Sequence, residues 1–209
     1  MRPDTFYHLY THSNGFEDLF REDDNYRYFL SRYLGFVPLL ADTFAYCLMP
    51  NHLHFIVRVK SAEGLIVAYN EKFAEDSIGA DRTTDVYEKL EKFVNRQIGH
   101  LFNSYTQAFN KKYDRRGKLF LYTFKKKEIL TETYLKNLVR YIHYNPVHHG
   151  FTKQMGTWKW NSYSEIVKQR SLIVNVQETI DWFGGIDEFV EAHRKVDDFE
   201  SSEEFESSK

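Results

Sequence analysis

A single cysteine, four prolines and no long apolar run bound what this 209-residue chain can be. One thiol, Cys47, excludes an internal disulfide and any thiolate cluster within the chain. Its apolar neighbours read it as a small buried strand residue. No stretch approaches the roughly 18 apolar residues of a membrane helix. Met1–Thr5 lacks the basic-then-apolar order of a secretory signal. The expectation is a cytoplasmic globular protein. Net charge is small as well, at −2, which taken whole points away from nucleic acid.

The distribution of charge says something different. From Glu178 to the C-terminus there are 11 acidic and 3 basic residues, against 19 acidic and 25 basic before it. Asn110–Lys127 carries eight basic residues (Lys111, Lys112, Arg115, Arg116, Lys118, Lys125, Lys126 and Lys127) against Asp114 alone. A basic patch is therefore hidden beside an acidic tail. On charge alone the patch reads equally well as a solvated face or as an anion-binding one. Aromatic residues, 17% of the chain, supply a core.

Phe6–Thr11 reads as a strand running into a Ser13-Asn14-Gly15 turn. A helix is predicted from about Asp23, with Tyr26, Phe29, Leu30, Tyr33 and Leu34 at helical spacing. Phe44–Met49 and His54–Val59 are strand-like and straddle Pro50-Asn51, where the proline suits a bulge or an edge. Ser61–Tyr87 is polar and mixed and reads as a loop or an insertion. A long helix is predicted from about Val86 to Lys112, then a turn at Arg116-Gly117 and a possible strand over Leu119–Phe124. The next helix has Thr131 as N-cap and is expected to stop by Pro146. Val176–Lys195 reads as one or two helices split at Gly184-Gly185, and Asp197–Lys209, acidic and serine-rich, as disordered. Strands and helices at irregular spacing imply an α+β domain with a mostly antiparallel sheet.

Two segments carry chemistry. In His52-Leu53-His54 the strand period of two puts both imidazoles on one face, within reach of one metal ion. Chance surface histidines give the same pattern. In Leu138–Val147 a helix sets Leu135, Leu138, Val139 and Ile142 on an apolar stripe, with Tyr134, Tyr141 and Asn145 on its flank, at the rim of the core. Tyr141 and Asn145 are four apart and hence neighbours.

Taken together, Tyr46-Cys47-Leu48-Met49-Pro50-Asn51-His52-Leu53-His54 and Arg140-Tyr141-Ile142-His143-Tyr144-Asn145-Pro146-Val147 resemble the REP-associated tyrosine transposases. These are a branch of the insertion-sequence-200-like, single-tyrosine HUH transposases. Tyr105–Gly117 and Trp160-Asn161-Ser162-Tyr163 extend the resemblance, which covers about residues 5–165. It implies a ferredoxin-like α+β sandwich with helices on one side of the sheet, as a catalytic domain over 1–170. A helical extension (171–196) and the acidic tail (197–209) would follow. It implies Tyr141 as nucleophile and His52, His54 and Asn145 as ligands of Mg2+ or Mn2+, although imidazoles alone would equally suit zinc.

By the same resemblance, the activity is cleavage and rejoining of single-stranded, hairpin-bearing DNA through a 5′-phosphotyrosine. Lys111, Lys112, Arg115, Arg116, Lys118, Lys125, Lys126, Lys127 and Arg140 would meet the DNA backbone, and Tyr113, Phe120 and Tyr122 would stack on unpaired bases. Two departures from the family pattern are Thr11-His12-Ser13-Asn14-Gly15, where relatives carry an Arg-Gly-Asn type turn, and Leu119-Phe120-Leu121-Tyr122, which lacks a Trp-Gln pair. A repeat-hairpin binder without turnover, a water-using metal hydrolase and a homodimer stay open.

Overall fold

In the computed structural model, residues 1–79 and 83–194 are described; the expectation of disorder over 197–209 lies outside them. Four strands, β1 (Phe6–His12), β2 (Ala41–Leu48), β3 (His52–Val59) and β4 (Lys125–Glu128), form one sheet in the order β2-β3-β1-β4. Every neighbouring pair is antiparallel. With α1 (Asp23–Phe36) between β1 and β2, and α2 (Ala62–Lys72) and α3 (Thr84–Lys112) between β3 and β4, this is the expected ferredoxin-like arrangement.

Two-residue alternation divides the sheet into two chemically different faces. Phe55 of β3 stacks on Tyr33 at 4.4 Å and meets Phe29, while the Tyr33 hydroxyl bonds Thr43 at 2.7 Å, so α1 covers this face. Helix α3 packs on α1 through Phe102 and Tyr105 against Phe29. The two sandwich helices thus share one side, as the resemblance implies. The opposite face is also covered: α4 (Glu132–His148) lies over β2 and β3, and Trp182, just past α6 (Val176–Asp181), packs on Phe6 and Phe44. A bulge at Thr43/Ala45 turns Phe44 toward this second layer.

Several local expectations are corrected. The first part of the stretch 61–87 is helical: Ser61 caps α2 by accepting from Gly64 N, and Ala62, Leu65, Ala68 and Tyr69 are buried. Two of those four are alanines, which is why the stripe was weak as a pattern. Pro50 sits in the β2–β3 turn, between the two strands expected to straddle it, and its carbonyl accepts from Leu19 N and Phe20 N. The strand foreseen at Leu119–Phe124 is displaced to Lys125–Glu128; Phe120 makes only an isolated bridge to Ser13. Helix α4 runs two residues past Pro146, because proline removes one bond in a last turn that is ending anyway. A short helix, α5 (Tyr163–Val167), was not foreseen, whereas α6 and α7 (Ile186–Arg194) are split at Gly184 and Gly185, both at positive φ.

The free edge of β2 is paired by the segment leading into and out of α5, through Leu48 N to Trp160 O, Ser162 N to Tyr46 O and Asn175 N to Thr43 O. A buried polar chain fastens that segment to α4 and α7. His193 Nδ1 donates to the Phe189 carbonyl (2.7 Å), so its Nε2 accepts from His143 Nδ1–H (2.8 Å), and His143 Nε2 accepts from the Ser162 hydroxyl (2.8 Å). The carbonyl can only accept, which fixes every tautomer along the chain. Burial pushes the His193 imidazole down to about 4 and holds His143 well below its usual range.

A histidine with a lowered folded pKa binds its proton in the unfolded chain first, so stability is lost as pH falls below about 6.5 toward 4. Denaturant titrations at pH 7 and pH 5 should show a loss in the wild type that is smaller in His193→Gln.

Candidate active site

The β2–β3 turn is tight, with Met49 N donating to His52 O at 2.8 Å, so β3 begins at His52 and not at His54. That start places both imidazoles in the ladder and on the face beneath α4. Cross-strand pairing sets His12 opposite His52 and Tyr10 opposite His54, which puts His8, Tyr10 and His12 of β1 on the same face. On α4, Tyr141 and Asn145 project toward these histidines. The Tyr141 ring lies 5.9 Å from His54, edge-on, and Asn145 Oδ1 lies 3.2 Å from His52 Nε2.

Tyr141 (1% exposed) and Asn145 (0%) are therefore not at the rim of the core, as the helical stripe suggested. Helix α4 is covered on two sides. Its apolar stripe meets the sheet and the C-terminal layer, where His143 meets His193, and its tyrosine flank meets β3. His148 and His149, beyond it, are exposed.

Hydrogen-bond partners constrain the protonation states of these rings. Asn51 Oδ1 is 2.7 Å from His52 Nδ1 and can only accept, so the neutral His52 ring carries its proton there and bears a lone pair on Nε2. That lone pair faces Asn145 Oδ1, a second acceptor, while Asn145 Nδ2 is buried with no hydrogen-bond partner. Two acceptors 3.2 Å apart are relieved by turning the amide over, by a second proton on Nε2, or by a cation between them. Adjacent ligands at about 2.1 Å from an octahedral ion lie about 3.0 Å apart, close to the observed spacing. His54 Nε2 is also buried without a hydrogen bond. Burial, then the neighbouring His8 and His52, hold the His54 imidazole far below its ordinary pKa, in the neutral form a ligand needs.

The residues at hand thus fit a divalent ion held by His52, His54 and Asn145. Among the described residues no group of three or more His, Cys, Asp or Glu side chains is arranged to hold a metal, so this donor set depends on the amide and on oxygens from outside the protein.

The basic stretch divides. Lys125 pairs with Tyr10 and Lys127 with His8 across the β1–β4 ladder, so both stand on the histidine face, over the rings of Tyr122 and Tyr134. Lys126 alternates to the other face and donates to Asn95 of α3. Lys112 and Arg115 are ion-paired with Glu22 and Glu17. Lys111, Arg116 and Lys118 are exposed. Arg140 is not directed at the histidines: its Nε donates to the Ala192 carbonyl of α7 at 2.8 Å. Of the three aromatics considered for stacking, Phe120 is buried and Tyr113 is tied to Glu22 and Asn25, leaving Tyr122 at 51% exposed. Sequence reading missed His8, His12 and His149, the last stacked edge-on against His52 at 4.7 Å. The even spacing of His8, inside the predicted first strand, and His12, one residue past its predicted end, was the available signal.

Fold and site together define a ferredoxin-like domain whose sheet presents paired histidines to a helix-borne tyrosine. Among solved structures the chain is similar to a REP-associated tyrosine transposase bound to a REP hairpin. The TM-score is 0.50 at 16% identity, over 81% of this chain and 82% of that one, a likeness of fold. No family model and no curated protein matches. Among the described residues no helix is long and apolar enough to cross a membrane.

Because Arg140 bridges α4 to α7, Arg140→Ala should lower the unfolding free energy by about 1.5–3 kcal/mol, the range for a hydrogen bond from a charged donor. Denaturant titration measures this.

Proposed function

We propose that the protein is a REP-associated tyrosine transposase that cleaves and rejoins single-stranded DNA beside a hairpin, with Tyr141 as nucleophile and Mg2+ or Mn2+ as cofactor. The observation that carries the reading is the convergence on one face of Tyr141, Asn145, His52 and His54 from α4 and β3. The structural neighbour, solved with a REP hairpin, supports a hairpin as partner.

In the proposed reaction Tyr141 Oη attacks the scissile phosphorus, the P–O3′ bond breaks, and the proton lost by tyrosine is balanced by one gained at the 3′ oxygen. With a divalent ion held by His52, His54 and Asn145, negative charge building on the phosphate is offset. The protein residues do the positioning. One turn of α4 separates Tyr141 from Asn145, so nucleophile and amide keep a fixed relation. The sheet holds the two imidazoles at a ring spacing of 5.2 Å. The phosphotyrosine keeps a reactive ester, which the 3′ hydroxyl of a second strand reverses. Because Tyr141 is buried, a strand gains access only by displacing its cover. Part-exposed His12 and exposed His149, both in ring contact with His52, border that imidazole on the solvent side.

Lys125 and Lys127 give this face its cationic margin, and exposed Tyr122, held under Lys125 at 4.7 Å, offers a ring to an unpaired base. Phe16, fully exposed, lies in the turn bonded alongside that loop through Asn14 N to Leu119 O.

The experiment mixes the protein with end-labelled single-stranded hairpins from its own genomic flanks, in manganese or EDTA, on denaturing gels. A metal-dependent, protease-sensitive adduct, absent in Tyr141→Phe, is expected. Tight binding with no adduct in any metal would leave a hairpin-binding module. In the same assay Lys125→Ala/Lys127→Ala should reduce the salt slope of binding by about 1.4, at about 0.7 per phosphate contact on a single strand. Arg140→Ala should leave that slope unaltered.

A further inference from the structure

The fully buried pair His8–His54 joins β1 to the candidate site. His8 Nε2 lies 2.9 Å from His54 Nδ1, with the rings 5.1 Å apart and only 17° from parallel, and Tyr10 stacks on His8 at 4.7 Å. Burial holds His54 neutral, and a single proton occupies the hydrogen bond between the rings. It belongs to one ring or the other. If His8 donates, the remaining proton of His54 lies on Nε2, where a cation would have to bind. If His54 donates, Nε2 keeps a bare lone pair. Nε2 is buried, makes no hydrogen bond, and belongs to a ring 5.2 Å from His52 and 5.9 Å from Tyr141. Either arrangement leaves one buried outer N–H, on His54 Nε2 in the first and on His8 Nδ1 in the second, and only the second leaves a lone pair that completes the donor set with His52 Nε2 and Asn145 Oδ1.

We propose that His8 is a positioning residue: it accepts the Nδ1 proton of His54 and so keeps His54 Nε2 as a bare donor for the divalent ion. The inference rests on the proposed reading of the site and extends it to a residue that touches neither DNA nor metal. His52 has a counterpart in Asn51, whose Oδ1 fixes its tautomer in the same sense. Each imidazole of the pair is thus turned by its own acceptor, one from the turn and one from the neighbouring strand. Partners of this kind change metal affinity by about 10–100-fold when removed.

The test has two arms on the full chain. In the first, the tautomer of His54 is read by two-bond nitrogen–proton correlation on histidine-labelled wild-type protein, with His54→Gln giving the assignment. Nδ1–H is expected, and Nε2–H overturns the proposal. In the second, manganese alone is titrated calorimetrically. His8→Phe should weaken binding about tenfold or more, and His8→Gln, whose Oε1 can accept the same proton, should recover most of it at comparable thermal stability. Equal affinity in wild type and His8→Phe overturns the proposal while leaving the site reading intact. A wild type that neither binds manganese nor forms the tyrosine adduct sinks the site reading, and the role of His8 with it.

Discussion

Burying imidazoles between a sheet and a helix is the constraint on which the structure turns. His8, His52 and His54 have almost no contact with solvent, and each neutral ring must place one N–H and one lone pair. The fold meets most of that demand locally. Asn51 serves His52 from the turn, and His8 and His54 serve each other across the β1–β3 ladder. At the candidate site the demand is left open, where His54 Nε2 and Asn145 Nδ2 lack hydrogen bonds and two acceptors face each other. Elsewhere the same type of residue is fully matched. His143 and His193 form a closed chain from Ser162 to the Phe189 carbonyl. That contrast separates a structural histidine pair from one with open valence.

The layering follows from the same demand. A four-stranded sheet with one polar face would ordinarily leave that face in water. Here α4 closes it, and α4 is held from behind by α7 through Arg140 and His193, and at its side by Ser162 on the segment that pairs with β2. Tyr141 and Asn145 are consequently positioned by elements on three sides. The acidic C-terminal part of the chain thus contributes helix α7 to the packing that fixes the proposed nucleophile.

Much of this could be read in the sequence, with limits of a physical kind. The His-x-His period survives any register, so the shared face of His52 and His54 was legible from two residues. The four-residue spacing of Tyr141 and Asn145 was equally local. The direction in which that flank points was not, because helix rotation depends on what lies behind α4, and α7 is some fifty residues away. His8 was passed over because its value comes from being opposite His54's neighbourhood in the β1–β3 ladder, which pairing and not pattern decides. The basic run looked uniform in sequence, yet strand alternation sends Lys125 and Lys127 to the histidine face and Lys126 away from it. Helix α2 was missed since alanines bury little and mark a stripe weakly.

The central claim is that Tyr141, and no other tyrosine, forms the bond to DNA. Tyr144 is three residues along the same helix and only part-buried, which makes it the sharpest internal competitor. The most direct measurement digests the protein–DNA product with trypsin and nuclease and locates the residual nucleotide by fragmenting the peptide from Tyr141 to Lys153. The account predicts a nucleotide on Tyr141. A nucleotide on Tyr144 or on any other tyrosine would contradict it.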